Sequence, residues 1–260
     1  MKRKVSAAML KLMLPSMLCD RNPINRLLGH AIRLQSGRIQ DDEFRLAIDS
    51  FYENVDLADL ICQIQLDAKK NKLDRPGGYK ADVISLSDDA AHRFGWAATP
   101  LWRRRFAFLR QVGVRLDVLV LREGAQIPPH GHYGVVSGFC VLEGEVAFRH
   151  YDRVKESGES VYIRKCIDMI ARPGEFATNS EYYQNIHWLC GVAPISYLFR
   201  VTVVGTQAKT FGSRQEKSER VYVDPTGSED ASGLVLAPYI THDQAASLPF
   251  YRSRAMAASA

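Results

Sequence analysis

The chain is poor in several features that would have narrowed its class at once. Its five cysteines, at positions 19, 62, 140, 166 and 190, are odd in number and form no CxxC pair, which speaks against a disulfide framework and suits a reducing compartment. No apolar run reaches the ~20 residues that a membrane span needs. The formal net charge of +5 comes without a basic tract or a nucleic-acid motif, so the excess reads as a solvated surface. There is no internal repeat and no low-complexity segment. These absences predict a cytoplasmic protein with neither a membrane nor a nucleic-acid partner.

What is present fits one large domain, or one domain with an extension. The 260 residues are 46% hydrophobic and 24% charged, ordinary proportions that allow a sizeable core. The first residues, Met1-Lys-Arg-Lys and then a largely apolar stretch, have the outline of a signal peptide. Lys11 interrupts that stretch and no clean cleavage site follows, so an amphipathic helix is expected.

Residues 1–100 read as a mainly helical extension. Asp41-Asp42-Glu43 supplies an acidic first turn, and Phe44, Leu46, Ala47, Phe51, Val55, Leu57, Leu60, Ile61 and Ile64 recur at helical spacing. Lys69-Lys70-Asn71-Lys72 and Pro76-Gly77-Gly78 end it. A further helix start is expected at Leu86-Ser87-Asp88-Asp89 and a loop from Gly95 to Pro100. Beyond about residue 105 the pattern changes. Short β-type runs at 106–109, 114–121, 138–142, 145–151, 161–163, 186–189 and 197–204, punctuated by Gly and Pro, predict a sandwich or barrel over residues 101–227. Residues 228–260 read as an irregular tail.

The most informative stretch is Gly124-Ala-Gln-Ile-Pro-Pro-His130-Gly131-His132, with Ser137 and Gly144 beyond it. Two histidines separated by one residue on a strand share a face of the sheet. Two imidazoles side by side inside a barrel are costly to bury unless something binds them, and a metal is the usual solution. His187, in Asn185-Ile186-His187-Trp188, is the third candidate ligand. The other reading of His130 and His132 is a hydrogen-bonded barrel pair without metal, and of His187 an ordinary strand histidine. His150 follows the Gly144 turn and reads as exposed. His30, His92 and His242 read as structural or solvated, and Cys140 as a buried, inert thiol. Tyr133 and Trp188 flank ligands, as pocket walls or as core.

Over residues 106–205 the sequence resembles the cupin superfamily. The first cupin motif is Gly, five residues, His-x-His, three or four residues, Glu, six residues, Gly. Gly124, His130, His132 and Gly144 match it, with a Pro128-Pro129 turn before the histidines. Ser137 stands at the glutamate position. The second motif carries one more histidine, matched by His187 after Pro173-Gly174 at a longer spacing. The resemblance implies a mainly β double-stranded β-helix, a jelly-roll barrel.

Among cupins, a three-histidine site without the glutamate resembles the thiol dioxygenases, those acting on cysteine, mercaptopropionate and cysteamine. That likeness implies Fe(II) on His130, His132 and His187, and a small-molecule substrate and O2 as partners. It implies a small residue at Ser137, and an arginine holding the substrate, for which Arg104 and Arg105 lie at about the right distance before His130. A surface role for the Arg103-Arg104-Arg105 triplet is equally open. The His and Tyr that cysteine dioxygenase carries on its last strand fall here on Phe199 and Val201, so that pair is absent. Tyr197 or Tyr222 is left to take the tyrosine's part. Diketone- and gentisate-cleaving enzymes share the three-histidine pattern. A lyase, isomerase or hydroxylase using another metal, and a non-catalytic ligand-binding cupin, are the other readings. The helical extension could cap the barrel, shape the pocket entrance or form a homodimer contact.

Overall fold

The structure is a computed structural model that describes residues 23–58, 82–85, 114–204 and 220–250. In chain order it contains α1 (Pro23–Gln35), α2 (Asp41–Asn54), β1 (Asp82–Ser85), β2 (Val114–Arg122), β3 (Gln126–His132) and β4 (Val135–Glu143). Then come β5 (Val146–Ser157), β6 (Ser160–Ala171), β7 (Phe176–Asn179), β8 (Ile186–Gly191), β9 (Ile195–Val204), β10 (Arg220–Val223), β11 (Val235–Ile240) and α3 (His242–Ser247).

The helices begin and end where local chemistry dictates. Pro23 opens α1, where its missing N–H costs nothing. Gly37 takes the left-handed conformation after it (φ 69°), and Arg38 N–H donates back to the Arg33 carbonyl, which stops the helix. In α2, the Glu43 carboxylate accepts from the Gln40 N–H at 2.9 Å. Its buried stripe is Phe44, Ile48, Phe51 and Tyr52.

The strands form two antiparallel sheets. One has five strands in the order β1-β2-β9-β4-β7, and the other closes on itself as β10-β11-β6-β5-β8-β3. Between them lies a core that includes Leu119, Leu121, Phe139, Val141 and Leu198 from the first sheet and Ile127, Phe148 and Leu189 from the second. A second core comes wholly from the six-stranded ring: Tyr151, Val161, Ile163, Ile186, Val223, Val235 and Ala237. Alternation along β8 divides its residues between them, Ile186 to the ring and Leu189 to the inter-sheet core. Among the described residues, no helix is long and apolar enough to cross a membrane.

Helix α2 covers the outer face of the five-stranded sheet, not the barrel mouth. A Cβ at Gly138 would lie 2.8 Å from Ile48 and 2.9 Å from Tyr52, so glycine is what lets the helix sit this close. The Tyr52 hydroxyl lies 3.1 Å from the Phe199 carbonyl, close to that of Gly138, and accepts the Val201 N–H at 3.2 Å. It thereby ties α2 to β4 and β9 at once, and burial holds this phenol neutral.

Two expectations are corrected. The tail expected to be irregular from residue 228 supplies β11, which pairs with both β6 and β10 and closes the ring, and then α3. Its strand pattern is masked by Pro238 in its middle and by a run of only six residues. The Pro128-Pro129 pair is not a turn: β3 runs through it, with a break in the β3–β8 register between Ile127 and His130. Two residues without N–H groups cannot ladder, and the strand bulges past them. The runs expected at 106–109 and the features at 60–81 and 86–105 lie outside the described residues.

Candidate metal centre

His130 and His132 lie on β3 and His187 on β8, where it is the direct register partner of His130. Ring centroids are 4.3 Å apart for His130 and His187, 4.6 Å for His130 and His132, and 5.5 Å for His132 and His187. One ligand nitrogen from each ring lies within 4.8 Å of the others. The Nε2 atoms of His130 and His132 face each other at 3.0 Å, the separation of two nitrogens bound at right angles to one ion about 2.1 Å away. One hydrogen bond could join two of these rings. Only a shared cation uses a lone pair from all three, so the donor set fits a metal.

The charge state suits ligation. Burial pushes all three imidazoles well below their ordinary pKa, assisted by the neighbouring rings, by the charge of Arg220, and at His130 and His132 also by that of Arg200. They are therefore neutral at pH 7, the form that binds metals.

Backbone and side-chain partners fix the rings of His130 and His187. His130 Nδ1–H donates to the Pro128 carbonyl at 2.7 Å, which leaves its Nε2 lone pair free. His187 Nδ1 lies 3.2 Å from the Asn185 carbonyl and 2.8 Å from the Asn179 amide. The two orientations of that amide are isosteric. Only the one that offers its oxygen lets Nδ1–H donate to both partners and leaves Nε2 free to ligate. The Asn185 side chain donates to the His132 carbonyl at 2.7 Å and to the Ser180 carbonyl at 3.0 Å, and accepts the His132 N–H at 3.3 Å. A Cβ at Gly131 would stand 2.2 Å from Asn185 Oδ1. Glycine between the two histidines is thus what admits this clamp.

The other expected residues fare differently. Ser137 is buried on β4, opposite Asn179 of β7, and its hydroxyl is bonded to the Asn179 side chain. It supports His187 through Asn179. Tyr197 alternates with Leu198, a core residue, and so lies on the outer face of β9, away from the histidines. Arg104 and Arg105 lie outside the described residues. The arginines whose charge reaches the site are Arg220, directly opposite His132, and Arg200, opposite Phe139. Tyr222 lines the site, its ring 5.7 Å from that of His130. Trp188 does not: it points to the other face of β8, where its Nε1–H donates to Gln126 at 2.9 Å. Tyr133 accepts from Arg153 at 2.7 Å. Burial pushes the Cys140 thiol up to about 12, so it is protonated and inert.

His150, expected to be exposed, is fully buried and directly opposite His187. It follows Val146 and Phe148 on the inward face of β5, an alternation legible in the sequence. Asn179 and Asn185 give no such signal, because their roles depend on a loop that returns beside β3.

No known family profile matches the chain, and no curated protein does. Among solved structures, the chain is similar to an oxalate oxidase at 17% identity, over 50% of this chain and 53% of that one, with a TM-score of 0.32. It is similar to a cupin superfamily protein from Desulfitobacterium hafniense at 10% identity, over 52% of this chain and 86% of that one (TM-score 0.29). An 11S globulin from Wrightia tinctoria is 16% identical over 40% of this chain, which spans only 23% of the globulin (TM-score 0.31). Two antiparallel sheets, one closed into a barrel, with the histidine cluster in the space between them make the chain a mainly β, jelly-roll-like barrel.

Proposed function

We propose that His130, His132 and His187 hold one Fe(II) ion, and that the protein uses dioxygen to oxidise a small thiol to its sulfinate. The observation that carries this reading is the donor set: three neutral imidazoles, with a serine bonded to Asn179 where a carboxylate would complete it. Such a set leaves the divalent charge unneutralised and roughly three positions open, room for an anionic thiolate and O2. When bound, the metal supplies the acidity that ionises the thiol and the redox capacity to engage dioxygen.

The chain's own residues do the rest. The Pro128 and Asn185 carbonyls fix two tautomers so that the Nε2 lone pairs converge. Asn185 holds the backbone between the β3 ligands. Phe139, 5.4 Å from His187, with Phe148 and Leu189, keeps the inner face apolar and water out. The reaction balances without an external reductant. Both atoms of O2 end on sulfur, which gives up four electrons to them, and the thiol proton leaves to solvent or stays on the sulfinic acid.

The test is an oxygen electrode with a panel of small thiols and iron-loaded protein, with the product weighed by mass spectrometry. Oxygen uptake matched by a product carrying two added oxygen atoms is expected. Full iron occupancy with no uptake across the panel overturns the reading, and turnover without oxygen replaces it with a lyase or isomerase.

A further inference from the structure

Four residues meet in register across β10, β3, β8 and β5: Tyr222, His130, His187 and His150. Residues directly opposite one another share a face, so all four turn to the same side as the metal ligands. The proposed ion accounts for two of them, and Tyr222 has one edge toward solvent. His150 has neither outlet. Its surface is fully buried, its ring lies 5.9 Å from that of His187, and its Nε2 has no hydrogen-bond partner.

The ring is also held. His150 Nδ1 lies 3.3 Å from Gln184 Oε1. Gln184 is itself buried, and its N–H donates to Asp152 at 2.7 Å. Among the described residues it is the one non-glycine with positive φ (49°), a conformation that persists only where surrounding contacts impose it. A strained residue is thus spent on aiming one imidazole. With Gln184 presenting Oε1, Nδ1–H of His150 donates to it and Nε2 is left as a bare acceptor. On the facing sheet, Thr202 lies opposite Ser137 on the inward face, and its buried hydroxyl likewise has no partner. Buried polar atoms without partners are rare in folded proteins, and one held on the face of the metal ligands calls for a polar partner that the chain itself does not supply.

We propose that His150 is a substrate-binding residue: its Nε2 accepts a hydrogen bond from a hydroxyl or amine of the molecule held at the three-histidine centre. This rests on the thiol-oxidation reading and narrows the substrate to a small thiol that also carries an O–H or N–H donor. His150 is not a fourth metal ligand, since it lies on the far side of His187 from His130 in the strand row.

The test uses full-length protein loaded with Co(II), titrated with 2-mercaptoethanol and with 1-propanethiol, which differ by a hydroxyl in place of a methyl. The thiolate-to-cobalt absorption band gives each dissociation constant. The unmodified protein is expected to prefer 2-mercaptoethanol by about tenfold, the scale of one buried hydrogen bond. His150→Leu removes the preference while leaving 1-propanethiol affinity and cobalt content unchanged. His150→Gln, which keeps an acceptor oxygen, retains part of it. Equal affinities in the unmodified protein, equal weakening of both thiols in His150→Leu, or loss of cobalt from that variant each overturns the assignment and leaves thiol oxidation standing. Absence of a thiolate band with either thiol overturns the thiol reading itself, and this inference with it.

Discussion

Strand β8 has two sides that do opposite things. Ile186 faces the apolar side chains of the closed ring, beside which the buried charge of Arg149 is paired with Asp168 at 3.0 Å. His187, the next residue, faces the inter-sheet space, where four imidazoles crowd against Phe139 and Phe148. The period of two along a strand is enough to separate a region that holds the fold together from one that sacrifices stability to hold polar rings out of water. The ring side can therefore be damaged without touching the chemistry, and the histidine side can be emptied without unfolding the chain.

The largest effect should come from the ligands. His130→Ala, His132→Ala or His187→Ala is expected to abolish stoichiometric metal and oxygen consumption while far-ultraviolet circular dichroism is kept; full iron in all three variants would end the metal assignment. The mirror experiment is Ile163→Ala on the ring side. It should lower unfolding free energy by about 2–5 kcal/mol with metal content unchanged, as read by urea titration and elemental analysis.

A pH experiment sharpens the contrast further. In the unfolded chain His150 takes up a proton near its ordinary 6.5, but burial lowers it to about 4 in the fold. Between these values the unfolded state binds more protons. Metal-free protein therefore loses stability as pH falls through that window, by about 3 kcal/mol from this ring alone, and is unaffected by it above the window. His150→Gln should show a flatter dependence of unfolding free energy on pH. A smaller loss is expected from Asn185→Ala, which leaves the three rings in place and removes only the clamp on His132: metal affinity should fall about 10–100-fold, measured by competition with a chelator. Ser137→Ala acts one residue further out, through Asn179, and should cost only a few-fold in the same assay. A larger loss there would mean that the hydroxyl touches the metal's own ligands.

Much of the site was legible because it obeys local rules. The His-x-His spacing puts both rings on one face whatever the fold, and the flanking glycines fit a barrel motif. The third ligand and the two-sheet architecture followed from that resemblance and from the strand runs. What was not legible depends on returns of the chain. Asn185 is two residues from His187 in sequence, but its work is done across space on His132. His150 reads as exposed from its place after the Gly144 turn, whereas pairing on both sides by β6 and β8 and an inward-facing position bury it. The closing strand β11 was missed because six residues with a proline give a weak periodic signal. Tyr197 failed for a plainer reason: it is one residue out of phase with the inward face of β9.

The proline pair in β3 has a consequence for how reliably the rings find each other. Sliding a strand by one position would swing both imidazoles outward together. In β3 such a slide would bring residue 128 or 129 to a point where the neighbouring strand expects an amide hydrogen, and neither has one to give. The gap in the ladder therefore works as a ratchet tooth: it weakens the correct pairing a little and the adjacent misalignment much more, so the strand that carries two of the three donors is the one least free to dock out of step.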